Sequence, residues 1–463
     1  MSKTPSISPA KLLSERSYVV PQSLRVTELF FEVPLDYSKP NSKTIRLFAT
    51  RVTQNGTDGK DSTEPKQYLV YLEGGPGFGN GAPQDHPITA TALAKGYQLL
   101  LLDHRGTGLS TPVSTEMLSR VGDVDAQVDY LKLMRQDNTV RDCEAVRKCL
   151  TEGWPEHLQP WAAHGQSYGG WVSMSYLSLH PEGLKEVFLT GGLPPLGVPV
   201  DEVYKRTFSK AAERNRAYFG KFSQDLDAIK QILAHIEEND GKLALPGGGI
   251  LTPQRLMTLG YVFGMHGGFD TVHSIILRLK TSLDQFGFLS RAALSSVETS
   301  MPFDDAIIYA ILHEPIYCDG PTSSAWAAAR VGSQTEGYWW LREDGKKMSP
   351  DEPLYFSGEH VFPWHFDTYA ELRPLKEVAE KLAHVDDWPR LYDIERLRQN
   401  EVPIYAATFI EDLYVSYELA SHTAKLVKGI KVFETNLLYH NALRVKTEEV
   451  LPRLFALRDE VID

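Results

Sequence analysis

Short, mainly apolar runs alternate with longer stretches of helical periodicity at both ends of this chain. Tyr68 to Leu72, Tyr97 to Leu102, Lys185 to Thr190, Val402 to Thr408 and Ile430 to Glu434 are such runs, several bounded by glycine, proline or aspartate. Apolar runs of four to eight residues between turn signals read as strands buried on both faces. Between them, Val128 to Thr151, Trp171 to His180 and Tyr417 to Val427 carry helical patterns. Trp161 to Ala163 reads as the end of another strand. Two further β-rich runs, Glu28 to Val33 and Thr44 to Val52, flank the turn material of Asp36 to Ser42 and read as a hairpin. A polar connector, Gln54 to Pro65, follows. This alternation predicts an α/β fold with a mostly parallel central sheet covered on both faces.

From about Pro194 the rhythm changes to mainly helical patterns, such as Tyr204 to Phe219 and Leu226 to Glu238, with the aromatic loop Tyr338-Trp339-Trp340. Strand-helix alternation resumes only near Val402. A chain that returns to an unfinished sheet implies a core of residues 1–193 and 401–463. The mainly helical insertion, residues 194–400, then forms a cap with a core of its own. No internal repeat or low-complexity segment stands out.

The 463 residues, 42% hydrophobic and 23% charged, are ordinary for a globular protein. A formal net charge of −12 argues against nucleic acid and anionic membranes as main partners. No apolar run reaches the length of a membrane span, and Met1 to Val20 lacks the apolar stretch of a secretory signal. Three cysteines, Cys143, Cys149 and Cys318, are an odd and sparse set without paired metal-ligand spacing. Together these point to a cytoplasmic protein with reduced thiols. Oligomeric state is not legible.

Candidate chemistry centres on Gly165-Gln166-Ser167-Tyr168-Gly169-Gly170, a G-x-S-x-G pattern between a strand and a helix. In a nucleophile elbow the serine occupies a strained turn with Oγ exposed, and glycines beside it avoid Cβ clashes with neighbouring chain. A glycine-rich turn with an incidental serine is the alternative, and the rest of the chain has to decide. A serine nucleophile needs a base, and the base an orienting acid, in the chain order Ser, Asp or Glu, His. After the resumed strands come Asp412, with Glu411 beside it as an alternative acid, and then His440. Acyl transfer also needs backbone N–H donors for the developing oxyanion. The residue after the nucleophile, Tyr168, supplies one, and the turn Gly74-Gly75-Pro76-Gly77 after an apolar strand supplies the other at Gly75.

Gly-Gly-Pro-Gly (74–77), Asp-x-Arg-Gly-x-Gly-x-Ser (103–110), Gly-Gln-Ser-Tyr-Gly-Gly (165–170), Asp412 and His440-Asn-Ala-Leu-Arg together resemble the proline iminopeptidases. These prolyl aminopeptidases are serine peptidases of the α/β-hydrolase fold. The resemblance covers the sheet segments at both ends, about half of the chain. It implies removal of an N-terminal proline from peptides, with Ser167 as nucleophile, His440 as base and then acid, and Asp412 orienting it. The Asp103 to Ser110 segment would be structural. Many members have histidine before Gly-Gly-Pro-Gly, and this chain has Glu73.

An exopeptidase reads a free N-terminus, whose ammonium needs paired negative charge once desolvated. Similar enzymes place glutamates for this in the cap, and here Glu314 and Glu359 are the candidates, with Tyr338, Trp339, Trp340, Phe362 or Trp364 as walls for a proline ring. His313 near Cys318, His360 and His365 lack a complete ligand set, so neither metal nor cofactor is expected. The expected partner is a peptide with a free N-terminal proline. An esterase, amidase or other aminopeptidase of the same fold is the alternative within enzymes. A non-catalytic binding protein is the alternative outside them, and the presence of all three triad residues disfavours it.

Overall fold

The computed structural model describes residues 7–39, 41–56, 65–301, 303–342 and 352–460. Residues 57–64, most of the expected polar connector, and the first six residues of the N-terminus lie outside the described residues.

Strands β1 (Lys11–Val20), β2 (Leu24–Pro34), β3 (Thr44–Gln54), β4 (Tyr68–Leu72), β5 (Gln98–Leu102), β6 (Trp161–Gln166) and β7 (Leu184–Thr190) come first along the chain. A small hairpin, β8 (Leu243–Ala244) and β9 (Ile250–Leu251), lies in the helical region, and β10 (Ile404–Phe409) and β11 (Ile430–Thr435) follow it. Nine strands form one sheet in the order β1-β2-β3-β5-β4-β6-β7-β10-β11. The pairings from β5 to β11 are parallel, and those joining β1, β2, β3 and β5 are antiparallel. This is the mostly parallel sheet that the buried runs predict.

Period-two alternation divides the central strands between two apolar clusters. Leu69, Tyr71, Leu99, Leu101 and Phe188 pack under the C-terminal helix Thr447–Asp459 through Leu451, Leu454 and Phe455. Val70, Leu72, Leu100, Ala163 and Leu189 face the other way, toward the helices Gln136–Leu150 and Tyr168–Leu179. That second cluster continues without a break into the helical region between β7 and β10, through Tyr204, Phe208, Phe263 and Phe356. The insertion therefore shares the apolar core of the sheet instead of closing one of its own, because its inner helices lie directly on the sheet's covering helices.

The structure adds a strand and divides an expected helix. Lys11–Val20, nearly all of it exposed, pairs along its length with β2. The helix expected over Val128 to Thr151 is two helices, Val124–Lys132 and Gln136–Leu150. The break falls at Arg135, whose extended backbone sends a fully buried guanidinium to the carbonyls of Pro315, Cys318 and Pro389.

The topology places the chemistry-bearing segments together. β4, β5, β6, β10 and β11 are parallel, so the turn Gly74–Gly77, the Asp103 segment, Ser167, Asp412 and His440 all emerge at one carboxyl edge of the sheet. Ligand and catalytic sites of open α/β sheets gather at that edge.

Candidate active site

Ser167 joins β6 to the helix Tyr168–Leu179 with φ 52° and ψ −123°, a conformation costly for a residue with a Cβ. Neighbouring chain dictates the glycines around it. A Cβ on Gly169 would stand 1.9 Å from the Leu72 carbonyl oxygen, and one on Gly165 would stand 2.4 Å from the Gly169 carbonyl oxygen. The strain aims Oγ upward out of the turn, where it meets His440.

His440 Nε2 lies 2.9 Å from Ser167 Oγ, and His440 Nδ1 lies 2.7 Å from Asp412 Oδ2. The tautomer with its proton on Nδ1 satisfies both contacts: Nδ1–H donates to the carboxylate and Nε2 accepts from the serine hydroxyl. Asp412 Oδ1 accepts the backbone N–H groups of Tyr414 and Val415 at 2.8 and 3.0 Å, which holds the carboxylate in place. Burial pulls the imidazolium of His440 down. Attraction and hydrogen bonding from Asp412, joined by Glu359, outweigh that and leave its pKa above the usual value. The alternative acid, Glu411, lies outside this chain of contacts, 3.7 Å from Lys210.

Gly74 to Gly77 packs on the elbow: a Cβ on Gly74 would lie 3.1 Å from Ser167 Cβ. Gly75 adopts φ 122°, a backbone that favours glycine. Tyr168 opens the helix, so its N–H has no intrahelical acceptor. Among the described residues, neither the Gly75 nor the Tyr168 N–H donates to another protein group. Both donors stay available beside Ser167. Asp103 braces the adjoining loop by accepting the N–H groups of Asn80 and Leu109 at 2.8 and 2.9 Å. Arg105 forms a buried two-point ion pair with Asp142.

The two cap glutamates part company. Glu314 is buried and accepts the N–H groups of Ala327 and Ala328 at 3.1 and 2.9 Å, so it caps the helix Ala327–Ser333. Burial pushes its carboxyl up to about 7, against the pull of those two N–H groups. Glu359 accepts the Tyr309 hydroxyl and has no lysine or arginine partner among the described residues. Burial raises Glu359 to about 7 as well, opposed by His440 and the Tyr309 hydrogen bond and aided by Asp412. Glu359 is thus the carboxylate in electrostatic reach of the triad.

The aromatic residues expected as pocket walls are interior packing. Tyr338 and Phe362 are fully buried, Tyr338 donates to the Phe208 carbonyl, and Phe362 stacks on Trp364. Trp340 Nε1 donates to the Tyr355 carbonyl oxygen, and Trp339 flanks it in the same short helical turn. Different rings surround the site. Tyr414 lies 4.6 Å from the His440 ring, and Tyr261, Tyr309 and Phe78 continue the arc at centroid spacings of 5.5, 6.4 and 5.2 Å. Phe78 closes the arc at the Gly74–Gly77 turn, where a small apolar recess is lined by Phe78, Tyr261, Met301, Phe303, Ala306 and Tyr309. Adjacency to Gly-Gly-Pro-Gly and to Asp412 could have signalled Phe78 and Tyr414. Tyr261 and Tyr309 sit in an uninformative helical stretch and carried no signal.

The histidines weighed as metal ligands are held by protein groups. His360 Nε2 contacts Thr207 Oγ1 at 2.9 Å, and His365 Nδ1 accepts the Phe362 N–H at 3.0 Å. Burial lowers His313 to about 4 and His360 and His365 to about 3, so all three are neutral rings. Among the described residues, the group close enough to share an ion is Glu144, His180 and Glu182. It lies at the far end of the elbow helix, and Arg147 and Tyr176 already occupy Glu144.

A serine at a strained elbow, within reach of a histidine and aspartate at the carboxyl edge of this sheet, defines an α/β-hydrolase-fold enzyme of the serine type. The alpha/beta hydrolase fold family matches residues 68–234. The chain is 40% identical over 466 residues to a proline iminopeptidase of Aspergillus aculeatus, covering 100% of both. It is 38% identical over 431 residues to a proline iminopeptidase of Aeromonas sobria, covering 92% of this chain and 95% of that one. Among solved structures, a proline iminopeptidase of Mycobacterium smegmatis is 14% identical with a TM-score of 0.42, over 96% of this chain and 97% of that one. The chain belongs to the proline iminopeptidase family.

Proposed function

We propose that this protein is a serine exopeptidase that releases N-terminal proline from peptides. Ser167 Oγ attacks the prolyl carbonyl carbon while His440 Nε2 takes the hydroxyl proton. The carbonyl oxygen, now anionic, is received by the N–H groups of Gly75 and Tyr168. Collapse breaks the peptide C–N bond, and His440 returns the proton to the departing amine of the shortened peptide. Water, deprotonated by His440, then attacks the prolyl ester; collapse breaks the bond to Ser167 Oγ, which takes the proton back from His440 as proline leaves. Asp412 stays ionised throughout and stabilises the imidazolium.

The observation that carries the reading is Glu359, a carboxylate beside the triad with no lysine or arginine partner among the described residues. A substrate ammonium is the natural complement of such a group. The apolar recess beyond Tyr309 suits the methylene groups of a prolyl ring, whose nitrogen carries the ammonium charge. Glu314 enters as the residue that builds the cap, because both its oxygens are engaged by the helix it terminates. The three cysteines are unpaired, which favours a reducing, cytoplasmic setting. No described helix is long and apolar enough to cross a membrane.

Hydrolysis of a chromogenic proline amide, set against alanine amide and N-acetylproline amide, tests the proposal in the wild type and Ser167→Ala. Activity confined to the free proline amide and lost in the variant is expected. Efficient turnover of the blocked substrate would refute amine recognition, and an active Ser167→Ala would refute the mechanism.

A further inference from the structure

Glu73 immediately precedes the oxyanion turn, and the triad does not use it. It closes β4 and leads directly into Gly74-Gly75, yet it is almost completely buried, at 3% exposure. Both its oxygens are engaged. Oε1 accepts the N–H of Gly74 at 2.7 Å, and Oε2 receives Arg444 Nη2 at 2.5 Å. Arg444 lies four residues after His440, on the short helical turn Ala442–Val445. Hydrogen bonds from Ala442 N–H to the Tyr439 carbonyl and from Arg444 N–H to the Asn441 carbonyl stiffen the intervening chain.

The histidine loop is thereby anchored on two sides. On the cap side His440 N–H donates to the Gly264 carbonyl at 3.1 Å, and Asn441 Oδ1 accepts from His266. On the sheet side the anchor is the Arg444–Glu73 pair. Glu73 is also the residue whose side chain fixes the peptide unit ahead of Gly75. One carboxylate therefore sets the orientation of the oxyanion turn and its distance from the general base. These two components must keep register to a few tenths of an ångström while the reacting carbonyl becomes tetrahedral.

We propose that Glu73 and Arg444 are a positioning pair that locks the oxyanion turn to the His440 loop, a task performed without touching substrate. The proposal rests on the assignment of Ser167, His440 and Gly75 given above. Because the pair acts on the transition state, its loss appears in kcat and not in KM.

The experiment compares Glu73→Gln, Arg444→Met, Arg444→Lys and the double variant Glu73→Gln/Arg444→Met. Proline amide hydrolysis, inhibition by the boronic acid analogue of proline, fluorophosphonate labelling of Ser167 and thermal midpoint are measured for each. Glu73→Gln and Arg444→Met are expected to lower kcat roughly tenfold to hundredfold, less than deletion of an oxyanion donor costs, with KM within about twofold. The boronate, which mimics the tetrahedral adduct, should weaken by the same factor. Arg444→Lys should recover part of the loss, and the double variant should be no worse than Glu73→Gln alone.

Retention of kcat within twofold in both Glu73→Gln and Arg444→Met, with Ser167 still labelled, would overturn the pairing and leave the peptidase reading intact. A loss carried by KM, with boronate affinity unchanged, would overturn it equally. Absence of labelling at Ser167 in the wild type would overturn both. Should Glu73→Gln fail to fold, the two Arg444 single variants decide, since that side chain is about half exposed (47%).

Discussion

Exchange of Glu359 for glutamine removes a negative charge from beside the triad and keeps the side chain's shape and its contact with the Tyr309 hydroxyl. In the proposed complex the carboxylate meets the substrate ammonium. Two unit charges about 4 Å apart attract by about 4 kcal/mol at an effective dielectric of about 20, before desolvation is deducted. A hydrogen bond to a charged group is worth about 1.5–3 kcal/mol net. Taking about 2–3 kcal/mol, KM for proline amide at pH 8 should rise roughly 30- to 150-fold in Glu359→Gln. Turnover should change far less, because the ammonium is bound equally in ground and transition states. The pH dependence carries a second signature. Burial holds Glu359 near 7, so about nine-tenths of it is protonated at pH 6 in the free enzyme. An N-terminal amine, with a pKa of about 8, goes from about half cationic at pH 8 to almost wholly cationic at pH 6, which by itself lowers KM about twofold. KM of the wild type should therefore rise about fivefold from pH 8 to pH 6, and KM of Glu359→Gln should not rise. Initial-rate kinetics across that window, with N-acetylproline amide as control, is the assay. An unchanged KM in Glu359→Gln, or the same pH slope in both proteins, would refute the reasoning.

Ser167→Ala should cost about 10⁴-fold or more in kcat while proline amide still binds, as equilibrium titration would reveal. The Asp412-supported rise in the His440 pKa predicts that kcat/KM falls below a midpoint above 6.5, as the imidazole gains a proton and ceases to act as base. Asp412→Asn should depress both that midpoint and kcat, and a midpoint that does not move would count against the pairing. Gly169→Ala places a methyl group 1.9 Å from the Leu72 carbonyl oxygen and should destabilise by about 3 kcal/mol or more in urea unfolding. Removal of one partner of the fully buried Arg105–Asp142 pair, as in Arg105→Met, should cost about 3–5 kcal/mol in the same measurement.

What the sequence determined by itself was whatever depends on local pattern. The fully apolar run from Tyr68 to Leu72 can satisfy its composition only inside a covered sheet, and it does so in β4. Ser167, Gly75 and Tyr168 are legible for a similar reason, since the elbow and the glycine turn impose steric demands on immediate neighbours. Asp412 and His440 followed from chain order after strands. Tertiary structure decided what depends on partners distant in sequence. Glu314 and Glu359 look alike in their local windows, and only folding commits one to the helix at Ala327 and leaves the other within electrostatic reach of His440. Tyr309 joins the site because a helix from the insertion lays its ring between Phe78 and Tyr261. Arg444 reaches Glu73 across 371 positions of sequence, which no local periodicity encodes. A carboxylate's role is set by the cation, N–H group or empty space that folding brings to it, and sequence spacing cannot name that neighbour.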